Sequence, residues 1–325
     1  MLRTFAAAAL AALSLAGFSA SASGQSYPTK PVRLIVPFPP GGGTDITARL
    51  AAEYLSQKLG GSVVVENKPG AATAIGMDLV AKSPADGYTL IWTTSDGISI
   101  LPAVKPSVSY KIPGDFAFVA GASTYSLVVG INAQLPYKSL TEMLAYGKAN
   151  PGKLRYSSSG VGAGGHLATA LIANAAGVDM VHVPYQGAAP AVAGAAGGHV
   201  DLVLVATSSM KPHVDSGKLR AIATTDIKRN ALFPDAPTLD ESGLKNLSVV
   251  LYYGMLAPAG TPEPILARLR EALNEMLKDP KIVERIKSLG FEPAFLPGDA
   301  FRDFMVKDLA KWKDVSKAAN IVLTD

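Results

Sequence analysis

Short, nearly continuous apolar runs recur along this chain. Each is followed by a Gly-, Pro- or Ser-rich break and then by apolar positions at helical spacing. The clearest case runs from Val32 to Leu59 and reads VRLIVPFPPGGGTDITARLAAEYLSQKL. Val32, Leu34, Ile35 and Val36 predict a parallel strand covered on both faces. Pro37, Pro39 and Pro40 cannot extend a ladder, so the strand stops there. Gly41, Gly42 and Gly43 let the backbone turn and come close to a ligand. Thr44 or Asp45 is expected to cap a helix carrying the stripe Ile46, Leu50, Tyr54, Leu55 and Leu59. Gly60 and Gly61 end it.

The same unit repeats. Val63 to Val65 leads to the Pro69-Gly70 turn and a helix from Ala71. Tyr88 to Trp92 leads to Thr93, Thr94, Ser95 and Asp96, which read as loop or capping residues. Phe116 to Val119 and Tyr125 to Ile131 are further strands. A second series opens on a helix with Ser139 and Glu142 as its capping box. It continues with a strand from Lys153 to Ser157, a Gly-rich break, and a helix bearing Leu167, Leu171 and Ile172. A strand ending at Pro184 then leads to PYQGA and a helix from Ala188. Strands at Asp201 to Val205 and Leu219 to Thr224 follow, Leu251 to Ala257 returns, and the C-terminal part is helical. Repeated strand–loop–helix units predict an α/β fold with two Rossmann-like lobes, a hinge and an interlobe cleft. Lobe 1 is expected to hold residues 25–124 and 252–325, and lobe 2 residues 125–251.

Composition narrows this picture. Arg3, the apolar FAAAALAALSLAGF and the small residues Ala20-Ser21-Ala22 form a secretory signal peptide over residues 1–24, with cleavage expected after Ala22. The apolar stretch is short for a membrane span, and the chain contains no Cys. The mature protein is therefore expected to be exported to the periplasm, monomeric, not inserted in the membrane, and free of disulfides. The 30 basic and 26 acidic residues are scattered, with no basic block that would indicate nucleic acid.

Candidate chemistry lies at the breaks. Each strand-to-helix turn aims free backbone amides and a positive dipole end at one edge of its sheet, which favours an anion. Gly160, Gly162 and Gly165 match G-x-G-x-x-G, but Asp179 precedes the next strand instead of ending it, so a dinucleotide is not indicated. Ser157, Ser158 and Ser159 add hydroxyls. No G-x-S-x-G elbow is present, and His166 has no clear triad partners. His182, His199 and His213 lack ligand spacing, so neither metal nor cofactor is expected. Asp45 and Asp96 read as caps, Phe38 and Tyr185 as pocket walls, and Lys68 as a solvated side chain. Facing PPGGG, PGAAT and TTSD on one lobe, with SSSGVG and PYQGA on the other, predict a cleft for a small acid such as a dicarboxylate.

Several segments carry a family resemblance: YPTKPVRLIVPFPPGGGTDITARLAAEYLSQKLGGSVVVENKPGA, SPADGYTL, HVPYQGAAPAVAGAAGGHVDL, SGKLRAIATT, FPDAPTLDESG and APAGTP. Through these the chain resembles the extracytoplasmic receptors of tripartite tricarboxylate transporters, the Bug family. The resemblance implies the type II periplasmic binding protein architecture and binding of a carboxylate without catalysis. It places ligand contacts at Phe38, Pro40, Gly41, Gly42, Thr44 and Asp45, at Ala72 and Thr73, and at Thr94 and Ser95. On the second lobe it implies Ser157, Ser158, Ser159, Gly160, Gly162, His166, Tyr185, Gly187 and Ala188. Three segments depart from the family pattern. PGAATAIG stands for the usual PGAGGNIG. Val205-Ala206 replaces an acidic or amide pair, and Tyr252-Tyr253-Gly254 replaces a Trp-containing segment. The last two point to a bulkier or aromatic acid.

The function expected from this reading is a periplasmic receptor that closes on a small carboxylate and delivers it to the permease subunits of the transporter. Two alternatives stay open at this point: an exported hydrolase or lyase using the same cleft, and a ligand sensor for a membrane kinase.

Overall fold

The computed structural model describes residues 27–318 and 321. The signal segment and its cleavage site lie outside them. Two α/β halves share one long strand. In the first half β1 (Val32–Val36) lies between β2 (Val63–Asn67) and β3 (Thr89–Thr94), all parallel. In the second half β5 (Leu154–Ser158) lies between β6 (Met180–Pro184) and β7 (Leu202–Ala206), again parallel. The joining strand is β4 (Phe116–Asn132). Its first part runs antiparallel to β9 (Val250–Pro258) and β10 (Glu292–Pro297). Its second part runs antiparallel to β7 and β8 (Leu219–Thr224). The sheets are thus mixed, not purely parallel, and the two strands expected before and after residue 120 are one. Gly121 stays within the ladder because an added Cβ there would meet Phe301 at 2.9 Å.

The chain crosses between halves at β4 and returns before β9, and Thr225 ties the two crossings together. Leu127 N donates to Thr225 Oγ1 at 2.9 Å, and Thr225 Oγ1 donates to Val249 O at 2.7 Å. The backbone of Thr225 pairs with both strands as well.

Helices follow the strands in turn: α1 (Gly43–Leu59), α2 (Ala74–Ala81), α3 (Leu101–Val104), α4 (Leu140–Ala149), α5 (Gly164–Ala176), α6 (Ala188–Ala196) and α7 (Thr207–Asp215). The C-terminal part adds α8 (Glu263–Met276), α9 (Pro280–Ser288) and α10 (Gly298–Ala318). Capping of α4 is as the sequence predicts, with Glu142 N on Ser139 Oγ at 3.2 Å.

The start of α1 differs. Its N-cap is Gly42, so the helix begins before Thr44. Asp45 instead reaches back and accepts from Gly41 N at 3.0 Å, while Arg49 and Asn67 hold its carboxylate. Burial pushes the Asp45 carboxyl up, but the bonds from Arg49, Gly41 and Asn67 outweigh it and hold the group below its usual range. The buried face of α1 is Thr44, Thr47, Ala48, Ala51, Ala52, Leu55 and Leu59. Ile46, Leu50 and Tyr54 of the expected stripe are only half-buried. Small alanines on that face let the helix lie close to the strands below it.

Candidate functional site

The loops after β1, β3, β5, β6 and β7 meet between the halves. They enclose a cavity of about 300 Å³, continuous in its lining with a second of about 230 Å³. Phe38, Pro39, Asp96, Ser159, Gln186 and Gly187 stand in the walls of both.

From the first half, the loop Pro37–Gly42 and the first turn of α1 supply one wall of the larger cavity. Gly41 holds φ +86°, a conformation that L side chains rarely adopt. Gly42 is extended, and an added Cβ at either glycine meets nothing within 4 Å. Both therefore border open space. At Gly43 the clearance is different: a Cβ would lie 2.5 Å from Tyr253 Oη and 3.3 Å from Ser208 Oγ of the other half.

The floor is aromatic and aliphatic. Tyr125 and Tyr253 stack at 4.3 Å with Phe291 against them, and Leu127, Leu204, Val205 and Leu251 complete it. Burial pushes both tyrosine hydroxyls far above their usual range, so they stay neutral donors. Val205, Ala206 and Tyr253, which the resemblance singled out as departures, are all in this wall. Among the described residues no Lys or Arg side chain lines either cavity. An anion here would meet main-chain dipoles and hydrogen-bond donors, with His213 the imidazole in the larger wall.

From the second half, α5, α6 and α7 point their N-termini inward. The first-turn amides of α6 at Ala188 and Ala189 border the larger cavity. The N-terminus of α5 is already engaged. Gly164 N donates to Asp96 Oδ1 of the first half at 2.6 Å, and a Cβ on Gly164 would sit 2.8 Å from the same oxygen. Asp96 is only 6% exposed. Burial pushes its carboxyl up to about 6, and the Gly164 amide and the Thr94 hydroxyl oppose that rise.

The structure thus separates the sequence-predicted site residues into groups. Phe38, Pro40, Gly41, Gly42, Thr44, Ser159, Gly187 and Ala188 line the larger cavity, and Ala72 and Thr73 line the smaller one. Ala72 and Thr73 hold φ of +51° and +91°, in the left-handed region that favours glycine. The remaining residues are not in either wall. Asp45 is bound as described above. Thr94 Oγ1 accepts from Asp96 N at 3.1 Å, and Ser95 Oγ accepts from Tyr252 N at 3.0 Å. Ser157 donates to Ala191 O at 3.0 Å. Ser158 bonds Gly160 O and His182 Nε2. Gly160 and Gly162 shape the loop from behind, with Gly162 N on His166 Nδ1 at 3.1 Å. His166 stacks on His182 at 3.9 Å, and burial pushes them down to about 4 and about 3, with His166 adding to the fall at His182. Tyr185 packs over α6, where a Cβ on Gly194 would meet its hydroxyl at 2.3 Å.

Sequence reasoning missed α7, which brings Ser208, Ser209, Pro212 and His213 to the cavity. It also took Asp96 for a local cap. No side-chain cap is formed there; the carboxylate reaches 68 residues along the chain to Gly164 instead. Among the described residues no group of three His, Asp or Glu side chains is placed to hold a metal.

Two α/β halves joined by a shared strand, with strand-end loops facing across a cavity, define a solute-binding protein of the periplasmic type. Solved structures agree. The periplasmic binding protein BugD is 35% identical with a TM-score of 0.85, over 91% of this chain and 99% of that one. R. palustris Rpa4515, solved with adipate, is 32% identical with a TM-score of 0.88, over 91% and 99%. Among curated relatives, protein BugT of Bordetella pertussis is 35% identical over 304 residues, 93% of each chain. The model of the tripartite tricarboxylate transporter family receptor matches residues 47–321. The chain belongs to that receptor family.

Proposed function

We propose that this chain is a periplasmic receptor that captures a small carboxylate between its halves and delivers it to the membrane permease of a tripartite tricarboxylate transporter. The observation that carries the reading is the cavity wall. First-turn residues of α1 and α6, whose main-chain amides have no partner within their own helices, line it from opposite halves, and among the described residues neither a Lys nor an Arg side chain shares it. A carboxylate there is bound by main-chain donors and hydroxyls whose geometry is set before the ligand arrives. The adipate of Rpa4515 supports the same class of ligand.

The lobes divide as the crossings indicate, residues 25–124 with 252–325 and residues 125–251, and the Thr225 knot is the hinge about which they close. Phe38 to Thr44 supplies the grip of one lobe, and Ser159, Gly187 and Ala188 that of the other. No helix among the described residues is long and apolar enough to cross a membrane. The signal pattern read in residues 1–24 and the family support a mature chain that is exported to the periplasm and works there as a monomer.

Isothermal titration against a panel of mono-, di- and aromatic carboxylates tests this, with Trp fluorescence as a second readout. Trp92 suits that purpose because its Nε1 donates to Thr47 Oγ1 of α1 at 3.0 Å. The proposal expects saturable binding of at least one acid. Silence across the panel would overturn it.

A further inference from the structure

The two helix starts that the sequence presents alike are not alike in the structure. Before α1, Gly41 and Gly42 border open cavity. At α5 the amide already has a carboxylate on it, and that carboxylate belongs to the protein: Asp96 Oδ1 accepts from Gly164 N at 2.6 Å. Asp96 stands in the walls of both cavities, at their junction. It is buried, it is bonded by the Gly164 amide and the Thr94 hydroxyl, and among the described residues no Lys or Arg side chain lines either cavity, His213 of α7 being the imidazole in the larger wall. A ligand carboxylate brought to this end of the cleft would lose the amide to Asp96 and would face a like charge in a poorly screened setting. The rest of the floor offers apolar surface: Phe38, Leu127, Leu204, Val205 and Leu251, beside the Tyr125–Tyr253 stack.

We infer that Asp96 sets the charge preference of this receptor: its carboxylate takes the place of a second ligand carboxylate at α5, so the solute is a mono-anionic acid with an apolar body, and dianions are disfavoured. The inference rests on the carboxylate reading of the same cleft. It gives the residues two roles. The α1 and α6 amides hold the one carboxylate, and Asp96 selects against a second. The contrast with Rpa4515, which was solved with the dianion adipate, gives the matched pair for a test.

Hexanoate and adipate share a six-carbon chain and differ at one end. Titration calorimetry should find hexanoate at least tenfold tighter than adipate in the wild-type receptor. Asp96→Ser frees the Gly164 amide and removes the charge, and adipate should then gain at least tenfold relative to hexanoate. Asp96→Asn keeps an acceptor for Gly164 and removes only the charge, so it should recover part of that gain. Adipate binding the wild type as tightly as hexanoate overturns the inference alone. So does an unchanged ratio in a folded Asp96→Ser protein. No heat from either acid in any of the three proteins overturns the carboxylate reading, and the inference with it.

Discussion

The start of α1 and the start of α5 are both glycine-rich turns behind a buried strand, yet Gly41 and Gly42 in the first and Gly164 and Gly165 in the second are there for opposite reasons. Around Gly41 and Gly42 an added Cβ meets nothing, and the space belongs to the cavity. Around Gly164 and Gly165 it meets Asp96 Oδ1 at 2.8 Å and Leu204 O at 2.1 Å, so the space is already taken by the protein. One turn clears room for a ligand; the other clears room for the opposing half and for the strand beneath. Glycine content alone does not tell these apart. What distinguishes them is which atoms stand in front.

The largest effects should come from crossing the two cases. Gly165→Ala drives a Cβ into a backbone oxygen that cannot move cheaply, and a loss of about 3 kcal/mol is expected in denaturant unfolding. Gly42→Val enters open space at φ −82°, so stability should change by no more than about 0.5 kcal/mol. The same valine occupies the cavity, and acid binding should fall at least about a hundredfold, worth roughly 3 kcal/mol at 1.4 kcal/mol per tenfold. If Gly165→Ala is silent, or Gly42→Val binds normally, the distinction between the two turns fails.

Next comes the carboxylate that fills the second turn. Its folded pKa of about 6 lies above the value near 3.9 of an unfolded Asp, so the folded state holds the proton more tightly. Its contribution to stability therefore falls as pH rises between about 4 and 6 and stays low above that. Asp96→Asn keeps the bond to Gly164 and removes this cost. The variant should be more stable than wild type by on the order of 2 kcal/mol at pH 7.5, and the two should converge below pH 4. Thermal melts across that range measure it, and equal melting at pH 7.5 would contradict it.

The histidine pair behind the same turn works in the other direction. Imidazoles held down to about 4 and about 3 must stay neutral in the fold, while unfolded His takes a proton near 6.5. Their contribution is fully present above pH 6.5 and is lost as pH falls toward 4. His182→Gln should remove about 1 kcal/mol of the loss seen between pH 6.5 and 5. A wild type with no loss assignable to His182 would show that this stack does not brace the loop.

The smallest effect is expected at the first-half turn. Ala72 at φ +51° carries strain that glycine does not, so Ala72→Gly should raise stability by about 0.5 kcal/mol. A drop in stability on that change would mean that the Ala72 methyl packs more usefully than the strain costs.

Much of this fold could be read from the chain. Strands buried on both faces give continuous apolar runs, and Gly or Pro marks where each stops, so the βα units were placed with little error. The α1 cap and stripe were less legible. An extended Gly42 has no side chain to announce a cap, and the buried face uses Ala48, Ala51 and Ala52, which carry a weak hydrophobic signal. Helix α7 was missed because TSSMKPHVD is polar and contains Pro212. The cavity wall was partly legible through the family pattern at Phe38 to Thr44 and Gly187 to Ala188. Asp96 was not, since its partner lies 68 residues away and only the approach of the two halves brings them together.

Binding rests on opposed main-chain amides gripping one acid. Backbone amide chemical shifts, followed by NMR while hexanoate is added, test it most directly. Saturable shifts are expected at Gly43 and Thr44 on one half and at Ala188 and Ala189 on the other, with Gly164 kept on Asp96. Saturable binding that leaves those four amides unmoved would contradict it.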